Sequence, residues 1–181
     1  MEFSEVLRYG KVGLNSLRSS IKFFYSHLSL VLLSLVPSFT RAFQMWNETT
    51  PFWSEAIVGL ARVLLAIFIV SFASKISIKA MLDKKEWESF ITICTQRFNK
   101  NWPKGFLAQI IVFIVFLYGL GNLLIIFLSS LIVPTLNLVG VEVQNTSTFY
   151  NASVYFLKNI SIIPLTIVFV LILCGAKLTK N

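Results

Sequence analysis

Four stretches of this chain are each long and apolar enough to cross a lipid bilayer, and that feature limits the fold more than any motif. Crossing about 30 Å of hydrocarbon takes roughly 20 apolar residues in a helix. Windows of this kind run over about 21–40, 55–74, 106–133 and 154–176. Backbone polar groups in hydrocarbon must be satisfied within the segment, so each window is expected to be helical. The third is longer than needed and should tilt or emerge at one end. Only 13% of the 181 residues are charged, against about 25% in an ordinary soluble domain. A water-facing surface cannot be built from that composition. The expectation is an all-α, polytopic integral membrane protein, with residues 1–181 forming a single four-span domain.

The basic residues set the orientation. Arg8, Lys11, Arg18 and Lys22 precede the first window. Lys75, Lys79, Lys84, Lys85, Arg97, Lys100 and Lys104 lie between the second and third, and Lys177 and Lys180 follow the fourth. The connection 41–54 has one Arg and one Glu, and 134–153 has only Glu142. The positive-inside rule then places both termini and the middle connection in the cytoplasm, with a cell membrane as the expected location. Aromatic residues sit near the same boundaries: Phe43, Trp46, Phe52 and Trp53 outside, Phe23, Phe24, Tyr25, Trp87 and Trp102 inside. The formal charge of +8 therefore points to anionic lipid head groups rather than nucleic acid. The first window reads as a retained span. Its leading segment is long for a signal peptide, and Ser38-Phe39-Thr40-Arg41 is a poor cleavage site.

Two segments on the cytoplasmic side have amphipathic spacing. In 1–20 and just beyond, Phe3, Val6, Leu7, Leu14, Leu17 and Ile21 recur at helical steps. In 82–104, Trp87, Phe90, Ile91, Cys94 and Phe98 do the same before Pro103. Such helices either lie in the head-group plane or pack on the bundle's own end. The order of segments is similar in the two halves, but the shared outer-loop pattern is too short to establish a duplication. Cys94 and Cys174 read as separate, reduced cytoplasmic thiols with no disulfide framework.

Among the polar residues within the apolar windows, four stand out. Arg62 stands about two turns inside the second, where an Arg near a helix centre costs about 2.5–3.5 kcal/mol to insert. It is a candidate for a substrate, ion or partner contact. The simpler reading is that its stem snorkels outward, toward head groups or Glu55. Asn122 in the third window is expected at a comparable depth, where its amide oxygen would accept from Arg62 and tie the two helices. Lys158 reads as a snorkelling residue about one turn into the fourth window, with Pro164 kinking the helix beyond it. His27, two turns into the first, has no titratable partner at its depth, so a structural hydrogen bond is expected. Sequons at Asn47, Asn145 and Asn151 map to outer loops, and the one at Asn159 lies too near the membrane for modification.

Hydrolytic chemistry needs a nucleophile with a base, paired carboxylates, or a metal with its ligands. The windows hold no carboxylate beyond the boundary residue Glu55, and the single His has no Cys or acidic neighbour in sequence. Neither an enzyme activity nor a metal or other cofactor is expected. The favoured reading is an accessory, assembly or regulatory subunit acting through helix–helix contacts with a membrane-protein partner or a second copy. The alternative is a small oligomeric transporter or channel subunit for an anionic or zwitterionic solute or lipid, using Arg62, Asn122 and Lys158.

Overall fold

The computed structural model describes residues 3–74, 76–80, 83–140 and 145–174. These are helical apart from short connections, and no strand occurs among them. In chain order, α1 is Phe3–Ser26, α2 Leu28–Trp46, α3 Phe52–Ser74 and α4 Lys84–Asn101. A long helix over Lys104–Leu138 comprises α5 (Lys104–Phe113), a π-helical turn (Ile114–Leu120) and α6 (Gly121–Leu138). Another over Thr146–Leu173 comprises α7 (Thr146–Leu157), a π-helical turn (Lys158–Ile162) and α8 (Ile163–Leu173). Among the described residues, four helices are long and apolar enough to cross a membrane: α2, α3, Lys104–Leu138 and Thr146–Leu173. Lys75, Glu142, Lys177 and Lys180 lie outside the described residues, as do residues 1–2, 82 and 175–176 of the expected segments. Nor are the side chains of Phe3, Val6, Leu7, Phe90, Arg97 and Lys100 among those described.

The helix boundaries correct the sequence reading at two places. The first apolar helix does not start near Ile21, because α1 continues to Ser26 and the chain breaks at His27. There the backbone leaves the helical region (φ −106°, ψ 89°). Side chains take up the carbonyl released at the break: Ser26 Oγ donates to Phe23 O at 3.0 Å, and His27 Nδ1 lies 2.7 Å from the same oxygen. Apolar residues continue on both sides, so hydropathy does not register the interruption. The fourth apolar helix starts at Thr146, eight residues before the expected 154. Asn145 caps it, its side chain accepting from the Thr148 N–H at 3.1 Å, as Asn does at helix N-termini. The polar run Thr146–Ser153 hides this start from a hydropathy scan.

α2 packs on α3 along one side and on α7 with its π turn along another. At one end the α2–α3 connection meets the start of α7, where Thr148 Oγ1 donates to Glu48 at 3.0 Å and the Trp46 ring at the end of α2 meets Phe149. Nearer the opposite end, the core gathers Phe24, Leu30, Leu65, Ile69, Val168 and Phe169. α1 packs against α5 and α8. Among its described side chains, Gly13, Leu17, Ser20, Phe23 and Phe24 are buried, whereas Leu14 and Ile21 of the expected apolar face are exposed. Arg8, Lys11, Arg18 and Lys22 are all exposed. α4 begins at its cap Asp83, whose carboxylate accepts from Lys85 N at 3.0 Å, and ends before the Trp102–Pro103 connection. Its apolar Trp87, Ile91 and Phe98 are exposed.

At Gly13, α1 lies tight against α5. A Cβ there would lie 3.0 Å from Val112 Cβ and 3.3 Å from the Gln109 backbone, whereas one at Gly10 would meet nothing within 4 Å. Gly13→Leu should therefore cost about 1–3 kcal/mol through overpacking. Gly10→Ala should stabilise by up to about 1 kcal/mol through helix propensity. Thermal unfolding of the two variants in detergent, compared with wild type, checks both signs.

Candidate functional site

Arg62 lies ten residues after the start of α3 and twelve before its end, roughly 15 Å along the axis at the usual helical rise. It is thus at the midpoint of the helix, deeper than two turns from its N-terminal end. The core-facing side of α3 carries Val58, Ala61, Leu65 and Ile69, and Arg62 stands at the edge of that face, half-buried. Its Nη2 donates to Asn159 Oδ1 at 2.8 Å. Asn159 is 3% exposed, and its Nδ2 donates to Tyr155 O at 2.8 Å, so the amide is oriented with its oxygen toward the guanidinium. Arg62 Nε is buried and has no hydrogen-bond partner among the described residues.

Asn159 belongs to the π turn Lys158–Ile162, which ends two residues before Pro164. A proline inside a helix removes one N–H donor and crowds the carbonyl four residues earlier. A wider turn just upstream accommodates that loss, and π turns recur at functional positions in helices. The expected kink at Pro164 thus takes the form of a π turn that carries Asn159.

The expected Arg62–Asn122 pair is not formed. Asn122 Nδ2 donates to Tyr118 O in its own helix at 2.6 Å. α6 packs on α7 and the π turn beyond it, while α3 packs on α2 and α8, so Asn159 rather than Asn122 faces the arginine. Lys158 lies twelve residues into the helix that begins at Thr146, well beyond one turn, and is half-buried. His27 is not two turns inside a span but at the α1–α2 break. There its ring stacks on Phe72 at 5.1 Å and tilts against Phe23 at 4.5 Å.

Between Arg62 and the connected end of the bundle is a second polar group that the sequence reading did not assemble. Arg41 near the end of α2 clasps Glu55 at the start of α3 with both terminal nitrogens, Nη2 to Oε2 at 2.9 Å. Gln44 is fully buried between them, accepting from Arg41 at 2.7 Å and donating to Glu55 at 3.1 Å. Ser54 Oγ accepts from Gln44 and donates to Pro51 O. The available signal was Arg41 and Gln44 three residues apart beside Ser54-Glu55, legible once α2 extends to Trp46. Glu55 is thus committed to Arg41, and the sequence expectation that it would receive Arg62 is not met by any hydrogen bond. Arg41 and Arg62 set two positive charges against this one carboxylate. Beside the group, Phe39, Phe43, Trp46, Ile132, Phe149 and Phe156 line an open apolar groove of about 490 Å³.

Compared with protein-family models, curated proteins and solved structures, the chain matches none of them. Its chemistry is therefore read from the site alone: a guanidinium at mid-helix depth, held by one amide and hydrogen-bonded to no carboxylate among the described residues.

Removing one partner of the Arg41–Glu55 pair leaves the other charge and Gln44 poorly satisfied. Glu55→Gln and Arg41→Gln should each lower stability, and the double variant should lose less than their sum. The coupling expected for a partly exposed pair is small and favourable. A double-mutant cycle of unfolding free energies in detergent measures it.

Proposed function

We propose that the protein is a non-enzymatic integral membrane subunit of the cell membrane, with both termini and α4 on the cytoplasmic side. It acts as an accessory, assembly or regulatory component, through helix–helix contacts with another membrane protein. The observation that carries this reading is Arg62, a mid-helix guanidinium that donates to a neutral amide while the neighbouring Glu55 is engaged by Arg41. Ionisable groups inside a membrane pair with one another or mark a path for substrate. A carboxylate on a partner's helix would supply the missing countercharge at that depth.

Two surfaces support the same reading. The helix Lys104–Leu138 is sparsely covered by its neighbours, with Ile111, Leu123 and Phe127 each near 60% exposed, which leaves a long apolar flank for lipid or a partner helix. The exposed Arg8, Lys11, Arg18 and Lys22 of α1 suit anionic head groups at the cytoplasmic surface.

The test is purification from native membranes in mild detergent, with mass spectrometry of whatever stays bound. Wild type should retain a membrane protein stoichiometrically. Arg62→Gln should reduce its recovery about tenfold, as loss of roughly 1.4 kcal/mol would, at unchanged membrane level. Equal recovery with Arg62→Gln would remove Arg62 from the interface. A self-oligomer holding only a small anion would replace this reading with anion transport.

A further inference from the structure

α4 is amphipathic, and the bundle leaves most of its apolar side open. Trp87, Ile91, Cys94 and Phe98 follow one another at steps of four, three and four residues, so they share one side of the helix. Lys85, Ser89, Thr92 and Gln96 take the other side, and Ile93 falls off the apolar line. Cys94 is half-buried, whereas Trp87, Ile91 and Phe98 are exposed, Ile91 to 58%. The largest contact of α4 with another helix is a small one with α5.

The place of α4 in the chain says what that side meets. Two residues separate Asn101, where α4 ends, from Lys104, where the third apolar helix begins. That is a reach of at most about 11 Å. Across the junction Phe98 stacks on Trp102 at 5.0 Å, and Phe106 packs against both rings. The last turn of α4 is thus fastened to the first turn of an apolar helix, with an exposed Trp102 between them, as suits a membrane–water boundary. The charge agrees. Residues 75–104 carry seven Lys and Arg against Asp83, Glu86 and Glu88. Lys84 and Lys85 at the helix start are exposed, and Glu88 meets Lys84 at 3.5 Å.

We propose that α4 is a lipid-binding helix lying in the head-group plane of the cytoplasmic leaflet, and that its partner is the anionic lipid surface. Trp87, Ile91 and Phe98 enter the acyl boundary, while the surplus basic residues of 75–104 meet anionic head groups. A protein in the aqueous phase could cover this side only if α4 turned away from the boundary at which Trp102 and Phe106 hold it. The inference rests on the membrane reading of the four apolar helices, but not on Arg62 or on a protein partner. The anionic lipid content of that leaflet then sets how firmly α4 lies down.

The experiment uses the full chain with Cys94→Ala and Cys174→Ala, reconstituted in lipid nanodiscs, whose two faces are both open to solvent. A nitrobenzoxadiazole fluorophore is attached through Ile91→Cys, Gln96→Cys or Leu123→Cys in turn. In discs of phosphatidylcholine with about 30% phosphatidylglycerol, iodide should quench the label at position 96 about threefold more than that at 91. A nitroxide lipid labelled near its head group should quench position 91, and one labelled at mid-chain should quench position 123. Without phosphatidylglycerol the shielding at 91 should fall about twofold. Equal iodide access at 91 and 96, with position 123 still quenched by lipid, would overturn the proposal and leave the membrane reading standing. Shielding at 91 without quenching by the nitroxide lipid would assign that side to a second copy of the chain instead. Shielding that does not change without phosphatidylglycerol would overturn the assignment to anionic lipid.

Discussion

Close approach of helices around α2 is the constraint from which the rest of the bundle follows. Ser34, Pro37 and Ser38 are buried along α2 and offer little side-chain bulk, so α3 and α7 can come near its backbone. Small residues at helix contacts permit this where apolar burial gives no preference for helix over lipid. The serine hydroxyls are satisfied within the helix, Ser34 donating to Val31 O and Ser38 to Ser34 O. Their polarity is therefore met without a partner on another helix. With α3 and α7 both drawn to α2, Arg62 and Asn159 come within hydrogen-bonding distance although they are 97 residues apart in sequence.

Magnitudes decide what that hydrogen bond does. Interhelical polar contacts in membranes contribute about 0.6 kcal/mol on average, whereas an arginine at mid-span costs about 2.5–3.5 kcal/mol to insert. One amide does not offset that cost. A simple tie between helices would be better made by two neutral side chains, so the charge itself is the feature needing a role. The π turn has a part in this, since it presents Asn159 at the level of the guanidinium and accommodates Pro164 at the same time.

Much of the fold was legible in sequence because hydropathy is averaged over about twenty residues, and four such windows stand clear of their surroundings. What averaging cannot register is a single-residue break in continuous apolar sequence, as at His27. Nor can it register a helix whose first turns are polar, as at Thr146–Ser153. The second omission had a direct effect on the site. With the fourth helix begun at 154, Asn159 falls near the membrane surface; begun at Thr146, the same residue falls at mid-helix. Arg62 was visible as a charge in an apolar run, but its partner depended on that boundary.

The separation of Arg62 from Asn159 also bears on how the protein is made. Chains emerge during synthesis at about 5–20 residues per second. The 97 residues between donor and acceptor then correspond to an interval of roughly 5–20 s. Throughout it, α3 exists without the helix that receives its guanidinium. On the membrane reading, the first two apolar helices wait as a half-built unit whose arginine must be sheltered by the insertion machinery, by water, or by a neighbouring protein. Biogenesis thus has a vulnerable stage fixed by chain order, and it ends only when the last apolar helix docks.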